Sequence, residues 1–284
     1  MTAGPSGAGR PGTALVLGGG GVLGAVQVGM LRAVLEVGIR PDLVLGTSVG
    51  ALNGAVLAAD PTPAAAERLR ELWGAGAVFA ETAVSRIRTL ASSGTALHSA
   101  EPLRLVLERA VGDARIEDLP VPFQCCAASI ERAAEHWFTD GPVTDAVLAS
   151  CAVPGLLPPV PVGGEHYLDG GLVNSIPVGR AVELGARRIL VLHVGRVDRP
   201  LRPPRRPWEV ALVAFEIARR HRYARDMASV PEGTEVHVLP TGDAEPRRYD
   251  DLSALRYRDT AAATVRVERA YEASLAYLRA SGVA

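Results

Sequence analysis

The sequence of 284 residues predicts an α/β fold built on a parallel sheet. Two short apolar runs, Thr13–Gly18 (TALVLG) and Leu43–Gly46 (LVLG), end in glycine and read as buried strands. Each leads into a helix-like segment, and the links between them are short. Strand, helix, strand, helix in that spacing is the pattern of parallel strands with crossover helices.

The elements justify themselves in order. Residues 24–37 (GAVQVGMLRAVLEV) repeat at helical spacing through Val28, Leu31 and Leu35, and Gly38 and Pro41 supply the stop. Val49–Ala59 reads as a second helix after the second strand. The stretches PAAAERLRELW and AEPLRLVLERAV are helical in pattern, and PFQCCAASI with AEHWFTD reads as a pair of strands. A short strand in GEHYLDGGLVNSIPV ends at Asp169, and a helix start follows with Asn174 as its expected cap. Arg187–Val194 and Thr234–Pro240 are further apolar strands, and residues 208–227 and 259–280 are helices. No internal repeat is visible, so residues 13–284 are expected to form one domain, with 1–12 a flexible Gly/Pro/Ser-rich N-terminus.

Composition narrows the function classes. Hydrophobic residues make up 48% of the chain and the formal net charge is −1, which fits a globular protein and argues against nucleic acid as a partner. Every basic Lys-or-Arg position is arginine, a feature of overall composition. Three cysteines, two of them adjacent, follow no metal-binding or C-x-x-C spacing and read as buried thiols in a reducing compartment. The apolar stretch near the N-terminus is broken by four glycines and makes a poor signal peptide, and no apolar run reaches 18 residues. A cytoplasmic location is the expectation.

The second strand–helix junction carries chemistry. Gly46, Ser48 and Gly50 give G-x-S-x-G between a strand and a helix. That turn is sharp; it lifts the serine hydroxyl to the sheet edge at a helix N-terminus, the setting of an activated nucleophile. The plainer reading of Ser48 is an ordinary helix N-cap. Acyl transfer also needs donors for an oxyanion, and Gly18–Ala25 (GGGGVLGA) lets successive backbone amides converge at the start of the first helix. Gly19, Gly21 and Gly24 also spell a dinucleotide fingerprint, but the acid that should end the second strand is replaced by Gly46-Thr47-Ser48.

The base is harder to find. His193 closes an apolar strand, His221 lies in an arginine run on a helix, and His237 alternates inside a strand; all three read as structural or surface residues. Asp42 begins the nucleophile strand, at the wrong edge of the sheet. Asp169 stands at a strand end before Gly170 and Gly171, where the backbone can pass closely; an ordinary Asp-Gly turn is the competing reading.

Taken together, three blocks resemble the patatin-like phospholipase family. They are GGGVLGAVQVGML (19–31), GTSVGALNGA (46–55) and SCAVPGLLPPVPVGGEHYLDGGLVNSIPV (150–178), found in the family's order within a motif-bearing core of residues 13–182. The resemblance implies a three-layer α/β/α fold with a mostly parallel central sheet. It implies a Ser-Asp dyad without histidine, Ser48 the nucleophile and Asp169 the base, an oxyanion hole at Gly19, Gly20 and Gly21, and supporting roles for Gly24, Gly46, Gly50, Gly170 and Gly171. It implies no metal or cofactor and a lipid or lysolipid ester as substrate. Leu23 stands where the family usually carries Arg or Lys, which bears on phospholipid preference more than on hydrolysis. The alternatives are a non-catalytic lipid-binding or regulatory protein on the same fold, and a His-dependent serine esterase. The Arg-rich stretch 196–225 around Trp208 raises transient contact with a membrane surface, but the apolar VALVAF favours a solvated loop followed by a core helix.

Overall fold

The computed structural model describes residues 11–74, 95–194, 197, 200–243 and 260–283. Eight strands among them form one sheet: β1 (Thr13–Leu17), β2 (Leu43–Thr47), β3 (Phe123–Ser129), β4 (Ala134–Phe138), β5 (Val160–Val162), β6 (Glu165–Asp169), β7 (Arg188–Leu192) and β8 (Glu235–Val238). The order is β5-β6-β3-β2-β1-β7-β8, with β4 also paired to β3. Pairings from β3 through β2, β1 and β7 to β8 are parallel, whereas β4, β5 and β6 add an antiparallel end. Central strands β1 and β2 are apolar almost throughout because helices cover both faces.

Helices α1 (Gly24–Glu36), α2 (Val49–Ala59), α3 (Pro63–Gly74), α4 (Glu101–Val111), α5 (Val143–Ser150) and α8 (Thr260–Ser281) pack with one face of the sheet around Leu15, Leu17, Met30, Leu31 and Leu52. On the other face, α6 (Val178–Glu183) and α7 (Pro207–Ala228) close a second cluster around Val16, Leu45, Ile189 and Val191. This is the expected layered α/β/α architecture with a mostly parallel centre. The helix after β1 ends where Gly38 turns left-handed at φ 82°, as its stop signal predicts. Midway along α1, a Cβ on Gly29 would run into the Val267 carbonyl oxygen, so glycine is what lets α8 lie against α1.

Two expectations need correction. Asn174 does not cap a helix: α6 opens only at Val178, after Pro177, with no side-chain cap. The residue before a proline is disfavoured in the helical region, so Pro177 keeps Ile176 out of a helix and the chain bends at Ser175 and Ile176 before α6 begins. The VALVAF segment is no core helix either: α7 buries Val213 but leaves Val210 and Ile217 more than half exposed. Residues 1–10 of the expected flexible N-terminus, and Asp259 of the C-terminal helix, lie outside the described residues. Among the described residues no helix is long and apolar enough to cross a membrane.

Candidate active site

Chain reversal between β2 and α2 falls on Ser48, which adopts φ 55° and ψ −128°. A side chain at positive φ costs on the order of 1–3 kcal/mol and persists only where its surroundings enforce it. Here they do. A Cβ on Gly46 would sit 2.5 Å from the Ala51 Cα, and one on Gly50 would overlap the Leu17 carbonyl. The Ser48 N–H donates to Ser150 Oγ at 2.9 Å, and that hydroxyl donates to the Cys126 carbonyl at 2.6 Å. Ser48 occupies the N-cap position of α2 but its side chain makes no capping bond. The hydroxyl is turned elsewhere.

Its partner is Asp169, the last residue of β6. Strand β3 lies between the two: Thr47 pairs with Cys126, and Ala127 with Asp169. Ser48 Oγ donates to Asp169 Oδ2 at 2.6 Å. Gly171 N–H donates to Oδ1 at 2.7 Å. A Cβ on Gly170 would overlap the Cys126 carbonyl, so the turn after Asp169 hugs β3 as closely as backbone allows. The carboxyl is buried, and burial raises its pKa from an ordinary 3.8 to about 6, against the opposing pull of the Ser48 and Gly171 hydrogen bonds.

The glycine loop completes the site. Parallel pairing of β1 with β2 brings the loop beside the elbow: a Cβ on Gly19 would lie 3.3 Å from both Ser48 Cβ and Ser175 Oγ. Gly19 itself donates its N–H to the Ser175 carbonyl at 2.9 Å. That amide is committed to holding the loop, so the expectation of three free donors reduces to two. Among the described residues nothing takes up the amides of Gly20 and of Gly21, where the chain turns left-handed at φ 55°.

The match to known proteins now has a structural setting. Residues 15–182 match the family model described as patatin-like phospholipase. The chain belongs to the patatin-like phospholipase family. It is 34% identical over 190 residues to patatin-like phospholipase domain-containing protein 7 of Rattus norvegicus, covering 65% of this chain and 14% of that protein. It is 34% identical over 189 residues to lysophospholipase nte1 of Aspergillus terreus, covering 65% of this chain and 12% of that protein. The chain thus spans about one-seventh of the length of the relatives it matches. A solved structure, VipD of Legionella pneumophila, aligns with TM-score 0.47 at 12% identity, over 96% of this chain and 67% of that one.

All three family blocks meet at one place. Gly24 has Trp73 Cζ2 within 2.7 Å of where its Cβ would be, and Gly171 has Phe215 Cζ at 2.9 Å, so both permit close packing around the loops. Leu23 packs its half-buried side chain against the core. No hydrogen bond between a histidine and Ser48 or Asp169 is found among the described residues: His193 follows β7 beside Gly18 with its ring 5.9 Å from that of Tyr223, His221 is exposed on α7, and His237 on β8 meets the Tyr277 hydroxyl at 3.1 Å. Asp42 accepts the Thr13 N–H at the start of β2, at the far end of that strand from Ser48. The cysteines are buried free thiols, as their spacing predicts.

Sequence reasoning missed a buried polar scaffold behind the loop. Gln27 Nε2 donates to the carbonyls of Gly18 and Leu192, both at 2.8 Å. Asn53 Nδ2 donates to Gln27 Oε1 and to the Gly24 carbonyl, and Trp73 Nε1 donates to Asn53 Oδ1. Loop, α1, α2 and α3 are thereby tied into one network. The signal was present: Gln27 and Asn53 are uncharged polar residues inside otherwise apolar helices, and buried polar groups need partners. Arg219 of α7, also missed, is buried and donates to Ser175 Oγ and to the Val194 carbonyl, both at 3.1 Å. The sequence marks it only as one arginine of the Arg-rich stretch 196–225.

Proposed function

We propose that this chain is a lipid acyl hydrolase of the phospholipase or lysophospholipase type, with residues 13–284 acting as one hydrolase domain and Ser48 and Asp169 as its catalytic dyad. One observation carries the reading: a serine held at positive φ on an elbow donates a 2.6 Å hydrogen bond to a buried carboxylate whose pKa lies near 6. A carboxylate in water is too weak a base for this task; burial brings its proton affinity closer to working pH. The name of the Aspergillus relative, a lysophospholipase, supports a lysolipid ester as the substrate class.

The chemistry follows from the geometry. Asp169 Oδ2 takes the hydroxyl proton as Ser48 Oγ bonds to the ester carbonyl carbon. The carbonyl oxygen becomes an oxyanion, which accepts hydrogen bonds from the Gly20 and Gly21 amides at the N-terminal end of the first helix. Collapse expels the alcohol portion of the lipid, which leaves with the proton from Asp169, and an acyl-Ser48 ester remains. Water then gives a proton to Asp169, attacks the acyl carbon and releases the fatty acid, restoring the Ser48 hydroxyl. Ser150 keeps the nucleophile's backbone in place through the Ser48 amide.

A fluorophosphonate probe tests the nucleophile. The wild-type chain is expected to take one adduct, mapped by mass spectrometry to Ser48, and Ser48→Ala to take none. An unlabelled wild type would favour a lipid-binding protein on the same fold, and an adduct on another serine would move the reaction elsewhere.

A further inference from the structure

Helix α7 presents two dissimilar faces. Its inner face closes on the candidate site: Phe215 sits against Gly171, and Arg219 grips Ser175 and the Val194 carbonyl while pairing with Glu216 at 3.2 Å. Its outer face is a continuous stripe at helical spacing, with Val210, Ala214, Ile217, His221, Ala224 and Ala228 all exposed. Val210 is 53% exposed and Ile217 55%, and Leu172 (37%) flanks them on the turn that follows Asp169. Large exposed hydrophobic side chains therefore lie on and beside the helix whose inner face closes on the candidate site.

Among the described residues of α7 and of the segment that leads into it, the exposed ionised side chains are arginines. Exposed Arg202, Arg205 and Arg206 lead into α7, and Arg225 is exposed near its end. The acids of the helix are engaged: Glu209 accepts the Arg205 amide, Glu216 pairs with Arg219 and Arg220, and Asp226 is buried against Arg222. None of the described residues exposed on α7 is acidic. An apolar stripe with arginines at its approach and no exposed carboxylate among the described residues of the helix complements an anionic lipid surface.

We propose that the outer face of α7, with Leu172 beside it, docks on an anionic phospholipid bilayer and brings the ester-bearing surface to Ser48. This rests on the hydrolase reading for its purpose, though the binding step is independent of catalysis. The helix that lies on lipid is the one whose inner face supports the loop next to Asp169.

The test is co-sedimentation with vesicles of phosphatidylcholine and phosphatidylglycerol, alongside hydrolysis of soluble p-nitrophenyl butyrate. The wild type is expected to pellet with the vesicles. The double substitution Val210→Asp/Ile217→Asp is expected to pellet about tenfold less or worse, since two aliphatic side chains leave the interface. Both chains are expected to hydrolyse the soluble ester equally. Arg202→Glu/Arg205→Glu/Arg206→Glu provides a second variant and is expected to lose the vesicles without losing ester turnover. Equal pelleting of wild type and variants, or a wild type left in the supernatant, overturns the proposal. So does a wild-type dimer that the aspartate pair converts to monomer, which would assign this face to a second copy of the chain. Failure of the hydrolase reading looks different: vesicle binding intact, with no turnover of either ester by the wild type.

Discussion

Replacing Asp169 with asparagine separates two quantities that the wild-type carboxylate links. The amide has nearly the same shape. Its oxygen can still accept the Gly171 N–H now bonded at 2.7 Å, and its nitrogen can face Ser48 Oγ at the position 2.6 Å away. It cannot accept the Ser48 proton. Turnover of a soluble ester should fall at least about 10²-fold, the lower end of what a positioned general base contributes. Stability should move the other way. Burial holds the folded carboxyl at about 6 against an ordinary 3.8, so between those values the native state binds more protons than the unfolded chain. The group's relative contribution is therefore fully present below 3.8 and is lost as pH rises through 6. By pH 8 the buried charge costs about 3 kcal/mol relative to the protonated form. Asparagine is neutral throughout, so the variant should gain on the wild type as pH rises, by up to about that amount. Urea unfolding followed by circular dichroism, on both proteins from about pH 5 to pH 8, measures the difference. Turnover should itself rise with pH through about 6 in the wild type, as Asp169 gives up its proton. Parallel stability curves would refute the buried-charge argument, and an Asp169→Asn enzyme with near wild-type turnover would refute the base.

Two further outcomes follow from other contacts. Gln27→Leu removes three hydrogen bonds, the two donated to the carbonyls of Gly18 and Leu192 and the one accepted from Asn53; chemical denaturation should register a loss of about 2–4 kcal/mol, with turnover reduced because the glycine loop is less well held. Single substitutions of His193, His221 and His237 to glutamine should retain most activity on a soluble ester, and a well-folded histidine variant as inactive as Ser48→Ala would replace the dyad with a triad.

Much of the fold was legible because its signals are local. Apolar runs ended by glycine, helical spacing after each, and stop signals such as Gly38 act over a few residues; α2 was read at its observed bounds, Val49–Ala59. The elbow was legible for the same reason: G-x-S-x-G at a strand–helix junction constrains one turn of backbone. Where the competing signals were also local but incomplete, the reading failed. Asn174 had the chemistry of a cap, but Pro177 decided where a helix could begin. In VALVAF, apolar character gave no sign of which side would be covered.

Sequence alone determined the class of the fold, the strand–turn–helix that carries Ser48, and the two glycine segments that flank it, because sterics and periodicity write those features into consecutive residues. Only the tertiary structure decided the pairings. Ser48 and Asp169 are 121 positions apart and meet because β6 joins β3 antiparallel, in a register that sets Asp169 across one strand from Thr47. Gly19 lost its place among the free amides because the chain after β6 brings the Ser175 carbonyl against it. The pKa of Asp169, the Gln27–Asn53–Trp73 scaffold and the two faces of α7 have the same origin: desolvation and hydrogen-bond partnership depend on what packs alongside, and those neighbours come from distant parts of the chain.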